Sequence, residues 1–139
     1  MKITILNGPN LNLLGTREPG VYGSQTFDDF YKQLKEKFPA VGFTYYQSNI
    51  EGELINALQS ADADGIIFNP AGYTHTSVAI GDAISAIKIP VIEVHISNVH
   101  AREEFRKISL ISAKSKGTIS GLGLTGYSLA VSWFIDNVV

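Results

Sequence analysis

At 139 residues, 45% of them hydrophobic, the chain has the length for one compact domain with its own core and too little for a second. A net charge of −2 without a Lys/Arg cluster argues against nucleic acid or anionic membrane as partner, and the absence of cysteine excludes disulfides, thiolate catalysis and cysteine-ligated metal. No apolar run is long enough to span a bilayer and the start lacks a signal-peptide pattern, so the expectation is a cytoplasmic protein with a small-molecule partner.

The apolar run from Lys2 to Leu6 reads as a first strand. It leads into Asn7 to Gly23, NGPNLNLLGTREPGVYG, a segment that no packing argument requires. Its asparagines offer amide donors and acceptors, its glycines and prolines shape the backbone, and it places Arg17 and Tyr22 on one loop, where a cation can act on a phenol. A first helix follows from about Thr26 to Phe38, with Phe27, Phe30, Tyr31, Leu34 and Phe38 on one face, Asp28 and Asp29 in its N-terminal turn and Pro39 helping to stop it. Phe43 to Gln47 is the second strand, and about Gly52 to Ala61 the second helix, with Leu54, Ile55 and Leu58 inward.

Gly65 to Phe68 is the third strand, followed by the polar stretch Asn69 to Ser77. A third helix starts near Thr76, with Val78, Ala79, Ala83, Ile84 and Ile87 as its expected buried stripe. Val91 to Val94 is the fourth strand, followed by His95 to Arg106, and Gly117 to Ser120 the fifth. A last helix from about Thr125 is expected to bury Leu129, Val131, Phe134, Ile135 and Val138. Strands alternating with helices in this order predict an α/β fold, a flavodoxin-like doubly wound sheet of five parallel strands with helices on both faces, formed by residues 1–139 as a single domain.

In such a sheet the loops leaving the strand ends gather along one edge, where ligands bind. All three histidines and all three arginines lie in the segments after strands one, three and four. Singly, each candidate has a plain structural reading. Asn69 serves as a turn former, His75 as a cap or surface residue, Tyr22 as an apolar plug, Arg17 as a partner of Glu18, and Asp82 as an exposed helical charge. His100 and Arg102, among Glu103 and Glu104, suit a solvated helical face or a subunit contact. His95 is better placed, because Glu93 two residues earlier shares its side of the strand and can set its tautomer and charge. The histidine spacing fits no zinc pattern, there is no phosphate-binding glycine motif, and no lysine lies in the three loops to form a Schiff base.

With these residues in view, the chain resembles the type II 3-dehydroquinate dehydratases along its whole length. NGPNLNLLGTREPGVYG, NPAGYTHTS, EVHISNVHAREEFR and GTISGLGLTGY match that family's signatures in its order, and no functional position departs from them. The resemblance implies a flavodoxin-like enzyme without metal or organic cofactor, assembled as a homododecamer of trimers. Its reaction would be the reversible anti elimination of water from 3-dehydroquinate to give 3-dehydroshikimate through an enolate, in shikimate biosynthesis or quinate breakdown. By the same resemblance Tyr22 would remove the C2 proton and Arg17 would lower its pKa. His95 would protonate the departing C1 hydroxyl, and Asn10 would hold a water against the enolate oxygen. Asn69 with Ile96 and Ser97 would hold the C1 end and its carboxylate, while His75, Arg106 and Asp82 would grip the ring hydroxyls, Asp82 from its own or a neighbouring subunit. The competing readings are a nucleotide- or flavin-binding signalling module, which lacks its phosphate loop or acidic cluster here, and an inactive scaffold.

Overall fold

A computed structural model describes residues 1–16, 20 and 24–138. Five strands, β1 (Lys2–Asn7), β2 (Gly42–Gln47), β3 (Gly65–Asn69), β4 (Val91–His95) and β5 (Gly117–Ser120), form one sheet in the order β2-β1-β3-β4-β5. Every pairing is parallel. The central strands β1, β3 and β4 are covered on both faces and therefore read as nearly unbroken apolar runs rather than alternating ones.

The helices are α1 (Phe27–Lys37), α2 (Glu51–Ser60), α3 (Val78–Ala86) and α4 (Thr125–Asn137). Thr26 caps α1 by accepting from the Asp29 amide at 3.2 Å, and Asp28 and Asp29 complement the positive end of the helix dipole. On one face of the sheet, Ile3, Ile5, Ile67, Ile92 and Val94 pack with Phe27, Phe30 and Leu34 of α1 and Tyr127, Val131 and Phe134 of α4. On the other, Leu6, Ile66, Phe68 and Val91 meet Leu54 and Leu58 of α2 and Ile80 and Ile84 of α3. Each large side chain buried this way contributes roughly 1.5–3 kcal/mol relative to exposure.

Two helices bury only part of the expected stripe, Ala83 and Ile84 in α3 and Val131 and Phe134 in α4, and turn other members of it outward. In α3, Val78 and Ala79 are exposed and the buried positions are Ile80, Ala83 and Ile84. Ser77 sets this phase, its hydroxyl accepting from the Ile80 amide at 2.9 Å and starting the helix later than Thr76. In α4, Leu129 and Ile135 are exposed, whereas Tyr127, Ala130, Val131 and Phe134 form the inner stripe. Both helices are apolar nearly all round, so periodicity alone offers several stripes and the sheet selects one. The segment after β1 also carries structure. Leu11 and Leu14 are buried in the α1/α4-side core, which anchors the loop's first half.

Candidate active site

A cleft opens where the chain leaves the C-terminal ends of β1, β3 and β4, beside the β1/β3 boundary at which the strand order reverses. Its construction begins with a close backbone approach. The Gly8 amide donates to the Asn69 carbonyl at 2.8 Å, and a Cβ on Gly8 would lie 2.5 Å from the Pro70 carbonyl oxygen, so no side chain fits there. Two residues of the lining, Asn10 (φ 71°) and Ala71 (φ 53°), adopt the left-handed conformation. Asparagine tolerates it; alanine does so at a cost of about 1–2 kcal/mol, a strain of the sort that collects at functional sites.

Asn69 ends β3 and is held on both sides of its amide. Its Oδ1 accepts from the Ala71 amide at 3.1 Å, and its Nδ2 donates to the Tyr127 hydroxyl at 3.1 Å. That hydroxyl donates in turn to Asn7 Oδ1 at 2.7 Å. Burial pushes the Tyr127 phenol far above its ordinary pKa, so it stays protonated and can donate and accept at once. Asn7, expected to open the loop, instead ends β1 as a buried member of this chain of hydrogen bonds.

His95 ends β4, 6% exposed, with its Nε2 2.6 Å from Glu93 Oε1. Glu93 is 0% exposed and also accepts from Ser109 at 2.9 Å, Ser112 at 2.5 Å and Thr118 at 3.2 Å. Burial alone would push the Glu93 carboxyl up, but hydrogen bonds from His95, Ser112 and Ser109 outweigh it and hold the group below its ordinary value. A carboxylate at Nε2 leaves His95 Nδ1 as the ring's exchangeable position.

The His75 ring lies 6.5 Å from that of His95, with 23° between their planes. Its Nδ1 is 2.7 Å from the Ile108 carbonyl; since a carbonyl only accepts, Nδ1 carries the proton and Nε2 is a free acceptor in the neutral ring. Burial first, then the nearby His95 and Arg106, push the His75 pKa down, so the neutral form is favoured. Arg106 stacks over Phe105 with 5.0 Å from its guanidinium carbon to the ring centre, and its Nε donates to Glu103. Ile96 and Ser97 complete the wall, with Arg102 Nη1 donating to Ser97 Oγ at 3.3 Å. Asn98, against which Gly121 (φ 87°) packs so tightly that a Cβ would come within 2.9 Å of its side chain, caps the turn Val99–Ala101 through His100 N. That turn is a short 3-10 segment.

The fold thus brings together Asn10, Asn69, His75, His95, Ile96, Ser97 and Arg106, with Glu93 behind His95. Asp82 lies exposed on α3 and does not line this cleft. Arg17 and Tyr22 lie outside the described residues. Arg102, read from sequence as part of a solvated helical face or a subunit contact, lines the cleft; its sequence signal was its place in the same loop as His95. The hydroxyls around Glu93 and the partners of Asn69 were also missed, having no motif or periodicity. Among the described residues no group of three His, Cys, Asp or Glu side chains could hold a metal ion, and no helix is long and apolar enough to cross a membrane.

The cleft pairs a buried histidine–carboxylate couple with hydrogen-bonding groups and cations for an oxygen-rich anion. Residues 1–135 match the family Dehydroquinase class II. The chain is 52% identical to a 3-dehydroquinate dehydratase of Fusobacterium nucleatum subsp. nucleatum, across 98% of this chain and 97% of that one. It is 55% identical to another from an Exiguobacterium species, across 99% and 96%. The crystal structure of the type II dehydroquinase from Butyrivibrio crossotus superposes with a TM-score of 0.94 at 44% identity, covering 97% of each chain. The chain therefore belongs to the class II dehydroquinases.

Proposed function

We infer that the chain is a type II 3-dehydroquinate dehydratase, a hydro-lyase that removes water reversibly from 3-dehydroquinate to give 3-dehydroshikimate. The observation that carries the reading is the His95–Glu93 couple facing a cleft whose other walls supply Asn10, Asn69, His75, Ser97 and Arg106.

The reaction is an anti elimination through an enolate. Tyr22, as phenolate, takes the C2 proton, and its electron pair moves into the enolate. Arg17, on the same loop, favours the phenolate electrostatically without competing for the proton. Asn10 holds a water against the enolate oxygen. His95 then gives a proton to the C1 hydroxyl, which leaves as water while the enolate collapses to the conjugated ketone. Glu93 holds the His95 ring in place through Nε2. Asn69 and the Ile96–Ser97 segment hold the C1 end and carboxylate, and His75, Arg106 and Asp82 hold the ring hydroxyls.

Residues 1–139 act as one catalytic domain, free of metal and organic cofactor, in the cytoplasm. The functional unit is a homo-oligomer, a dodecamer of trimers, in which Asp82 enters a neighbouring subunit's site. Its exposure on α3, away from the cleft of its own chain, supports that role. The test is to add 3-dehydroquinate to the purified protein with a chelator present and to follow the ultraviolet absorbance of the conjugated product. No absorbance gain at any protein concentration would overturn the assignment.

A further inference from the structure

Glu93 is buried in the middle of the molecule, and its shell is unusually uniform in kind. Two donors fall on each oxygen: His95 Nε2 and Ser109 Oγ on Oε1, Ser112 Oγ and Thr118 Oγ1 on Oε2. A carboxylate has about four acceptor positions, so the set satisfies it. Three of the four donors are hydroxyls, which bring hydrogen bonds without charge. A lysine or arginine in their place would spend the carboxylate's charge on itself; with hydroxyls, that charge is left for His95.

The hydroxyls are also directed. Ser109 Oγ accepts from the amides of Ile111 and Ser112, each at 3.0 Å, so its own proton is turned to Glu93. Ser112 Oγ donates to Oε2, and the single Thr118 hydroxyl proton is shared between Oε2 and Ser112 Oγ, each 3.2 Å from Thr118 Oγ1. Thr118 is the register partner of Glu93 across the β4/β5 ladder, which sets its height on the carboxylate. The ionisable groups on this side are His95 itself and, beyond it, His75 and Arg106; across the β3 ladder the neighbour is the apolar Phe68.

We propose that Ser109, Ser112 and Thr118 form a hydroxyl clamp that fixes the Glu93 carboxylate on His95, which makes Ser112 and Thr118 positioning residues for the proton transfer His95 performs. The proposal rests on the role given to His95 above. Ser109 also braces the local backbone, so Ser112 and Thr118 are the sites to test.

Ser112→Ala is expected to lower kcat by roughly 10- to 100-fold, the range for losing an outer partner that orients a working histidine, with KM little changed. Ser112→Thr, which keeps the hydroxyl, should recover most of the rate. In a His95→Ala background Ser112→Ala should add no further loss, because the clamp acts only through that ring. The far-downfield proton signal of the His95 Nε2–H, identified by its absence in His95→Ala, should weaken or move in Ser112→Ala. Thr118→Val keeps the shape without the hydroxyl and is read by the same measurements, which covers the case of a misfolded Ser112→Ala. Folded variants with parental kcat and an unmoved signal, alongside a slow His95→Ala, would overturn the clamp alone. A His95→Ala that turns over normally would overturn the role of His95 and the clamp with it.

Discussion

The hydroxyl of Tyr127 donates to Asn7 Oδ1 at 2.7 Å, joining the end of β1 to a helix 120 residues further along the chain. The same hydroxyl receives Asn69 Nδ2, so one buried oxygen aligns the ends of two adjacent strands beneath the cleft. We expect Tyr127→Phe to fold, since the ring keeps its place against Phe27 and Phe30. It leaves buried polar groups of Asn7 and Asn69 short of a partner, at a cost of about 1–3 kcal/mol. Urea unfolding measures the loss, and a variant as stable as the parent would show that the network contributes nothing net.

Glu93 should shape the acid branch of stability. Its carboxyl is held below its ordinary value of 4.5 despite burial. As pH falls below that value the unfolded chain takes up the proton first, so the stabilisation Glu93 contributes is complete above the unfolded pKa and is lost as pH drops through the lowered folded one. Glu93→Gln should therefore lose less stability than the parent across that window. Parallel unfolding curves taken from neutral pH down into it decide the matter, and identical slopes would mean that other carboxyls govern the acid branch.

Arg17 and Tyr22 give the sharpest chemical prediction. A tyrosine ordinarily titrates near ~10, so a phenolate working at neutral pH needs a cation beside it. Tyr22→Phe should fold and be nearly inactive. Arg17→Ala should be slow and should show the acidic limb of kcat/KM displaced to higher pH. An unshifted limb would reduce Arg17 to a positioning role.

Assembly can be checked directly. Light scattering under assay conditions should show a species larger than a dimer, and Asp82→Ala should weaken substrate binding without changing the fold. A fully active monomer would end the idea that a neighbouring subunit completes the site.

Much of this architecture was legible because it rests on strong local signals. The phenylalanines of α1 repeat at helical spacing, and Glu93 and His95 share a side because strand side chains alternate. The strand ends, marked by Asn69 and His95, located the cleft. What sequence hid depended on distant partners. Nothing about Val78 or Leu129 says which face of an apolar helix will meet the sheet, and nothing about Ser112 or Thr118 marks a serine or threonine that meets a buried carboxylate rather than water. Arg102 was read from its acidic neighbours in sequence, and nothing there marks its hydrogen bond to Ser97 across the turn.

The order β2-β1-β3-β4-β5 has a further consequence for how the cleft lives and dies. Its walls hang from β1, β3 and β4, the three inner strands, and every one of their ladders joins segments distant in sequence. No local opening frees the Gly8 amide from the Asn69 carbonyl, because Gly8 directly follows β1 and Asn69 ends β3, two strands bordered on each side. Amide exchange at that position therefore reports the opening of the whole sheet. During folding the cleft comes into being late, when the inner strands have docked in register, so a partly folded chain has no partial site with which to bind or react.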